Sequence, residues 1–428
     1  MRIAYLAAGA ANMYCGSCLH DNTLAAALVK AGADIVLVPT YTPMRVDEPS
    51  VSQRQVLFGG INIYLQEKIP LFRHLPRFVD RWLDSPWLLG VVSKLNLSVD
   101  ARKLGSLTVA MLDGEAGPLK KEVFKLVEFL RDNLQPQVVH LTNALLIGMT
   151  REIKRQLNVP VVCTLSGEDI FFDKLAPRYR ERAHAIMRER AAEVDLFVAM
   201  NDYYAQEMTQ LLGLDPAKVS VVPHGLKLAG HALRQDRNDG EIRIGFLARV
   251  CHDKGLHQLV DALEILSRDA EMPPVKLLAA GYLGASDRSY LNKLRKDIAR
   301  RGLADRFEYR GELTRDEKIA FLQSLDVFSV PTVYRESKGI SILEALANGV
   351  PAVQPRHGSF PEMIEDTHGG LLFEPGNIDE LAAHIKRLAL DADLRNKLGE
   401  QGFHAVHDRY TDRIMAERTM ELYRRLVG

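Results

Sequence analysis

Two carboxylates, Glu336 and Glu344, stand eight positions apart in the run "SVPTVYRESKGISILEALANGVPAV". The first falls in a loop after the apolar stretch "DVFSVP". The second falls in the first turns of a helix that begins near Gly339, runs through "ISILEALA" and stops at Asn348-Gly349, with Pro351 beyond. Such a loop suits a phosphate-bearing ligand. A helix N-terminus offers unpaired backbone N–H groups, here including those around Gly339 and Ile340, and a positive dipole end; Gly339 allows close approach and Lys338 adds charge. A carboxylate at each end of the loop can accept hydrogen bonds from hydroxyls, one set from a ribose and one from a sugar. A second element fits the same ligand: "GFLARVCHDKGLHQLV" sets Arg249 at the end of a strand and Lys254 five residues on, opening a helix with Gly255. Two cations at a strand-to-helix turn can grip a diphosphate and stabilise negative charge as it leaves.

A third candidate is the pair Cys15 and Cys18 in "NMYCGSCLHDN". Zinc would need about two more ligands, and the other cysteines, Cys163 and Cys251, are isolated. The pair reads better as a small-residue loop whose working parts are Gly16 and the amides around Ser17. No metal site is expected.

These residues need a frame, and the chain supplies one. Its 428 residues fit two domains of roughly 200 residues each. Composition is globular, 47% apolar and 26% charged, and the net formal charge of zero implies no global pull toward nucleic acid. Short apolar runs alternate with amphipathic ones, the pattern of parallel sheets with crossover helices. The first series of strands is "RIAYLAA", "DIVLVP", "VVHLT", "PVVCTL", "DLFVAM" and "VSVVPHG". The second is "IRIGFLAR", "VKLLAAG", "FEYRG", "DVFSVP", "PAVQP" and "GGLLFEP". The expected division is an N-terminal domain over 1–225 with an insertion at about 50–135, a linker at 226–241, a C-terminal domain over 242–408 and a final helix over 409–428. Segment 68–94, with Trp82, Trp87 and several arginines, offers an acceptor surface or a peripheral membrane contact, against a plainer role as helices packed on the sheet. No stretch approaches the about 20 apolar residues of a membrane span, and the N-terminus reads as a first strand rather than a signal peptide, so a cytoplasmic setting is expected.

The Glu336…Glu344 pair resembles the Glu, seven residues, Glu motif of retaining glycosyltransferases of family 4, which have the GT-B fold. Arg249 and Lys254 match that family's Arg…Lys pair, "VPHGL" resembles its "PNG" turn and "RHGSFPEMI" its "GGxPE" loop, all in the family's order. The resemblance implies an α/β fold of GT-B architecture, two Rossmann-like doubly wound domains facing a cleft, the last helix crossing back onto the first domain. It implies hexosyl transfer from a nucleotide-diphosphate sugar such as a UDP-sugar to an unidentified carbohydrate, lipid or small-molecule acceptor, with no metal or other cofactor. In it Glu344 binds the ribose, Glu336 faces the donor sugar, and Arg249 and Lys254 hold the diphosphate with Lys338 and the amides of Gly339 and Ile340. Gly16 and Ser17 approach the same diphosphate.

One position departs from the pattern. Many relatives carry His-Gly after the fourth strand, whereas this chain reads Ser166-Gly167-Glu168-Asp169. A front-face mechanism, in which the leaving phosphate deprotonates the acceptor, does not need that histidine. Asn143, Ser166, Glu168 and His224 are expected to line the cleft. Two rival readings stand beside transfer: a GT-B-fold sugar-nucleotide epimerase, and a degenerate sugar- or nucleotide-binding protein. A dehydrogenase is disfavoured, since no Gly-x-Gly-x-x-Gly follows the first strand.

Overall fold

Each of the twelve apolar runs forms a strand. The computed structural model describes residues 1–9, 16–40, 46, 48–52, 105–235, 237 and 239–428. The chain divides into two units, the first made of Met1–Gly225 with Asp412–Gly428 and the second of Leu226–Thr411. Segment 68–94, with both tryptophans, and Cys15 lie outside the described residues.

In unit 1 the strands are β1 (Arg2–Ala7), β2 (Asp34–Pro39), β3 (Val138–Leu141), β4 (Val161–Thr164), β5 (Leu196–Ala199) and β6 (Val219–Val221). Among the described residues they pair in parallel in the order β2-β1-β3-β4-β5-β6. Unit 2 holds β7 (Ile242–Leu247), β8 (Val275–Ala280), β9 (Phe307–Tyr309), β10 (Val327–Phe328), β11 (Ala352–Pro355) and β12 (Gly370–Phe373), parallel in the order β12-β11-β10-β7-β8-β9. Helices cover the sheets, so β3, β4, β5, β10 and β11 are buried along their length and read as largely apolar runs rather than as an alternation, with His140, Thr164 and Gln354 the buried polar members. In each sheet the strand order reverses at one place: between β1 and β3 in unit 1, and between β7 and β10 in unit 2. The crevice outside the carboxyl ends of such a pair is where open α/β sheets hold ligands.

Two boundaries differ from the sequence reading. Residues 105–134, expected to belong to an insertion, are part of the unit 1 core. Helices Gly105–Asp113 and Lys120–Phe129 bury Val109, Leu112, Val123, Leu126 and Val127 in the same cluster as β3 and β4. Their apolar residues recur every three or four positions, which is what a crossover helix on a parallel sheet requires. Residues 226–241, expected as a linker, are tied into unit 2. The Arg234 side chain is only 4% exposed and pairs with Asp326, which also pairs with Arg237 and accepts a hydrogen bond from the Arg243 amide.

The last helix, Asp412–Val427, belongs to unit 1. It buries Tyr423 completely, and the phenol oxygen lies 2.5 Å from Nδ1 of His140 at the centre of the sheet. The other His140 nitrogen, Nε2, lies 2.8 Å from Thr164 Oγ1. Burial pushes His140 down to about 3, so the ring is neutral at ordinary pH. Among the described residues, no helix is long and apolar enough to cross a membrane.

Candidate functional site

The two strands that flank the reversal in unit 2 deliver the candidate residues. β7 runs into Arg249 and a short turn, His252–Lys254, ahead of helix Leu256–Arg268. β10 runs into the loop that carries Glu336. Two bonds hold the loop to the turn and its helix: Val333 N donates to Asp253 O (2.9 Å) and Gln258 Nε2 donates to Pro331 O (3.1 Å), while within the loop Thr332 Oγ1 donates to Tyr334 O (2.9 Å). Gly255 is required here. Its φ is +76°, and a Cβ would sit 1.7 Å from the Pro331 carbonyl oxygen.

So assembled, Lys254 Nζ donates to Glu336 Oε2 and to the Tyr334 hydroxyl, each at 2.5 Å, and the Tyr334 hydroxyl donates to the same Oε2 at 2.8 Å. The ammonium also lies 5.0 Å from the centre of the Tyr334 ring. The second Glu336 oxygen, Oε1, accepts from the amides of Ser337 (3.1 Å) and Lys338 (3.3 Å). Burial works against the Glu336 charge, but Lys254, Tyr334 and Lys338 outweigh it and hold the carboxyl down at about 2. The loop "RHGSFPE" packs against the Glu336 backbone. Ser359 N donates to Glu336 O at 2.8 Å, and a Cβ on Gly358 would meet the Glu336 backbone at 2.5 Å.

A pKa depressed in the folded state makes a testable contribution to stability. It is fully present above the ordinary carboxyl value of 4.5 and lost as pH falls through about 2. The urea midpoint of the wild-type protein is therefore expected to exceed that of Glu336→Gln at pH 6, with the gap narrowing by pH 3. A gap that stays constant over that range would show that Glu336 is not held ionised by its neighbours.

Arg249 is placed beside this cluster in sequence but bonded elsewhere. Its Nε and Nη2 both donate to Asp287 Oδ2, at 3.0 and 2.6 Å. Burial disfavours the guanidinium charge, and Asp287 more than restores it. Gly339, with a left-handed backbone (φ 65°), precedes helix Ile340–Leu346, and Glu344 on that helix pairs with Lys318 Nζ at 2.5 Å. Unit 2 thus brings Lys254, Glu336 and Lys338 together on one loop and its supporting turn, and the loop leads through Gly339 into the helix that carries Ile340 and Glu344.

In unit 1, helix Gly16–Lys30 follows β1 and its first turn holds Gly16 and Ser17. Ser17 Oγ donates to Ser166 Oγ at 3.5 Å, so the helix start meets the end of β4. Asn143, after β3, accepts from Leu145 N at 3.1 Å and caps the turn Ala144–Met149. Two residues expected to line the cleft are buried and bonded within unit 1. Glu168 is 3% exposed. Its Oε1 accepts from Ala144 N (2.9 Å), and its Oε2 accepts from Ser166 N (2.7 Å) and the Tyr204 hydroxyl (2.9 Å). Burial pushes this carboxyl up against those bonds. His224 is buried with its Nδ1 2.9 Å from Nδ1 of buried His20. Asp21, next in the chain, accepts from Tyr5 (2.8 Å) and Thr142 (2.5 Å), knitting the first helix to β1 and β3.

Sequence reasoning passed over Tyr334, Asp287 and Lys318. Tyr334 had a signal, since it lies two residues before Glu336 in the same loop. Asp287 and Lys318 had none, for they lie 38 and 26 residues from their partners, on separate elements. Among the described residues, no group of three or more His, Cys, Asp or Glu is placed to hold a metal ion.

Comparison with known proteins agrees with this frame. The family model "Glycosyl transferases group 1" matches residues 233–405, and "Glycosyltransferase Family 4" matches residues 105–229. A D-inositol 3-phosphate glycosyltransferase from Streptomyces bingchenggensis is 27% identical over 49% of this chain and 48% of its own length. A 2-deoxystreptamine N-acetyl-D-glucosaminyltransferase from Streptomyces fradiae is 26% identical over 70% of this chain and 73% of its own. The chain therefore spans between about half and three quarters of the length of these relatives. Among solved structures, sucrose-phosphate synthase from Thermosynechococcus elongatus superposes with a TM-score of 0.71 at 18% identity, over 100% of this chain and 99% of that one. HepE of Anabaena, in complex with UDP, gives 0.68 at 17% over the whole of both chains. With two parallel, doubly wound sheets and the two family matches, one in each unit, the chain belongs to the group 1 and family 4 glycosyltransferases, with the GT-B fold.

Proposed function

We propose that the protein is a retaining, metal-independent glycosyltransferase that moves a hexosyl group from a UDP-sugar to an acceptor hydroxyl. The observation that carries this reading is the Lys254–Glu336–Tyr334 cluster at the strand-order reversal of unit 2, with Arg249 at the end of the same strand as Lys254. The cations answer the charge that develops when the bond between the anomeric carbon and the diphosphate oxygen breaks. They fill the role a metal ion fills elsewhere, which supports the metal-free assignment. Glu336 accepts from hydroxyls of the donor sugar and Glu344 from those of the ribose. The acceptor oxygen bonds to the anomeric carbon on the face the diphosphate leaves. Its proton passes to the departing phosphate oxygen, so no protein nucleophile is needed and Ser166 can stand where relatives carry histidine. Solved relatives in complex with UDP and with UDP-glucose support the donor class.

The test is a thermal-shift screen of nucleoside diphosphates and their sugars, followed by proton spectroscopy of the sugar released without acceptor. A ligand at a hundred times its Kd stabilises the native state by about 2.7 kcal/mol. UDP and one UDP-sugar are expected to raise the melting temperature. The sugar released by slow hydrolysis is expected to appear first as the donor's own anomer. Conversion to an isomeric nucleotide-sugar would establish the epimerase instead. Tight binding with neither transfer nor hydrolysis across donors would establish a binding protein.

A further inference from the structure

We propose that Lys318 is the positioning residue for ribose recognition, holding the Glu344 carboxylate in the orientation that selects ribonucleotides over their deoxy forms. The inference rests on the reading that Glu344 accepts the ribose hydroxyls. Lys318 sits on helix Arg315–Gln323 and Glu344 on helix Ile340–Leu346, and Lys318 Nζ donates to Glu344 Oε1 at 2.5 Å. The two side chains are 12% and 9% exposed. A pair this buried is a poor source of stability, because desolvation of both charges cancels much of their attraction, and a well-packed apolar pair is often as good or better. What the lysine does supply is orientation and countercharge. With Oε1 tied to an ammonium, the rotation of the carboxylate is fixed, and a charge that would be costly to bury alone is compensated.

Both ends of the pair are mounted rigidly. On the Lys318 helix, Arg315 Nη2 donates to the carbonyls of Lys227 (2.8 Å) and Ala229 (2.6 Å). Just past the end of the Glu344 helix, Asn348 Nδ2 donates to Glu344 O at 2.8 Å and lies 2.8 Å from Nδ1 of His231, while Gln323 Nε2, from the Lys318 helix, donates to Asn348 Oδ1 at 3.2 Å. The two helices are therefore joined at the ion pair and again at Gln323–Asn348. A carboxylate fixed in this way meets a vicinal diol with its lone pairs already aimed. A site built to bond a hydroxyl discriminates strongly against an analogue that lacks it.

The test compares UDP with 2′,3′-dideoxy-UDP by titration calorimetry in the full chain and in three variants. The wild type is expected to prefer UDP by tenfold or more. Glu344→Gln is expected to bring that ratio close to one, Lys318→Met to lower it at least fivefold, and Lys318→Arg to restore it to within twofold of wild type. Lys318→Gln replaces Lys318→Met if the latter does not fold. A Lys318→Met or Lys318→Gln protein that keeps the wild-type ratio, with or without a lower melting temperature, overturns the inference and leaves a structural ion pair. A wild type without preference, or a Glu344→Gln protein that keeps it, overturns the ribose reading itself, and the role of Lys318 falls with it.

Discussion

Lys254→Ala is expected to lower turnover about a hundredfold, in line with the loss of one preorganised donor to developing negative charge. The charge on the departing diphosphate is greatest in the transition state, so the loss should fall on kcat more than on KM. The same substitution strips Glu336 of its Oε2 ammonium while leaving Tyr334 and the two loop amides in place. Some loss of stability is expected with it, and circular dichroism at the assay temperature separates the two effects. Lys254→Arg keeps the charge but not the geometry of a single ammonium shared between a phenol and a carboxylate, and should recover only part of the rate. A Lys254→Ala enzyme within twofold of wild type would remove Lys254 from the chemistry.

The second large effect concerns stability and lies in unit 1. Tyr423→Ala is expected to cost about 3–5 kcal/mol, the range for deleting a fully buried aromatic side chain. It empties the space beside His140 and takes away the hydroxyl at 2.5 Å from Nδ1. Tyr423→Phe isolates the polar part and should cost about 1–3 kcal/mol, since a buried ring nitrogen then lacks its partner. Urea unfolding followed by probes in each unit is the measurement. The transition of unit 1 should move to lower urea and that of unit 2 should stay. If both variants unfold with wild-type midpoints, the helix Asp412–Val427 is not part of the unit 1 core.

The frame was legible because parallel strands covered on both sides are short and largely apolar, and "VVHL", "VVCT" and "LFVA" can be little else. The Glu336 loop and the Lys254 turn were legible for a related reason. Each directly follows a strand, so its distance along the sequence translates into a place at the sheet's carboxyl edge. Legibility failed where side-chain chemistry alone was the guide. Glu168 has the composition of a cleft residue, yet its oxygens satisfy amides of two loops. His224 is buried too, with its Nδ1 2.9 Å from that of a histidine 204 residues away. Lys318 and Asp287 act through contacts between separate crossover units, which no local spacing encodes. The segment 105–134 was misread because it follows a stretch with no clear periodicity, and its own helical stripe was grouped with that stretch.

Unit 1 is assembled from two pieces of chain, and that has a consequence for the order of its making. Residues 226–411 are contiguous, and Leu226 and Thr411 at their two ends are bridged to each other. Unit 2 can therefore close on itself during synthesis. Unit 1 cannot, because Tyr423 and its helix are still to come. At about 5–20 residues per second, the first 225 residues wait on the order of 10–40 s with the helix's place on the sheet unfilled. The half translated first is the half completed last. A ribosome that stalls within residues 226–411 leaves the His140 side of the sheet without its covering helix, a surface for chaperones or for aggregation.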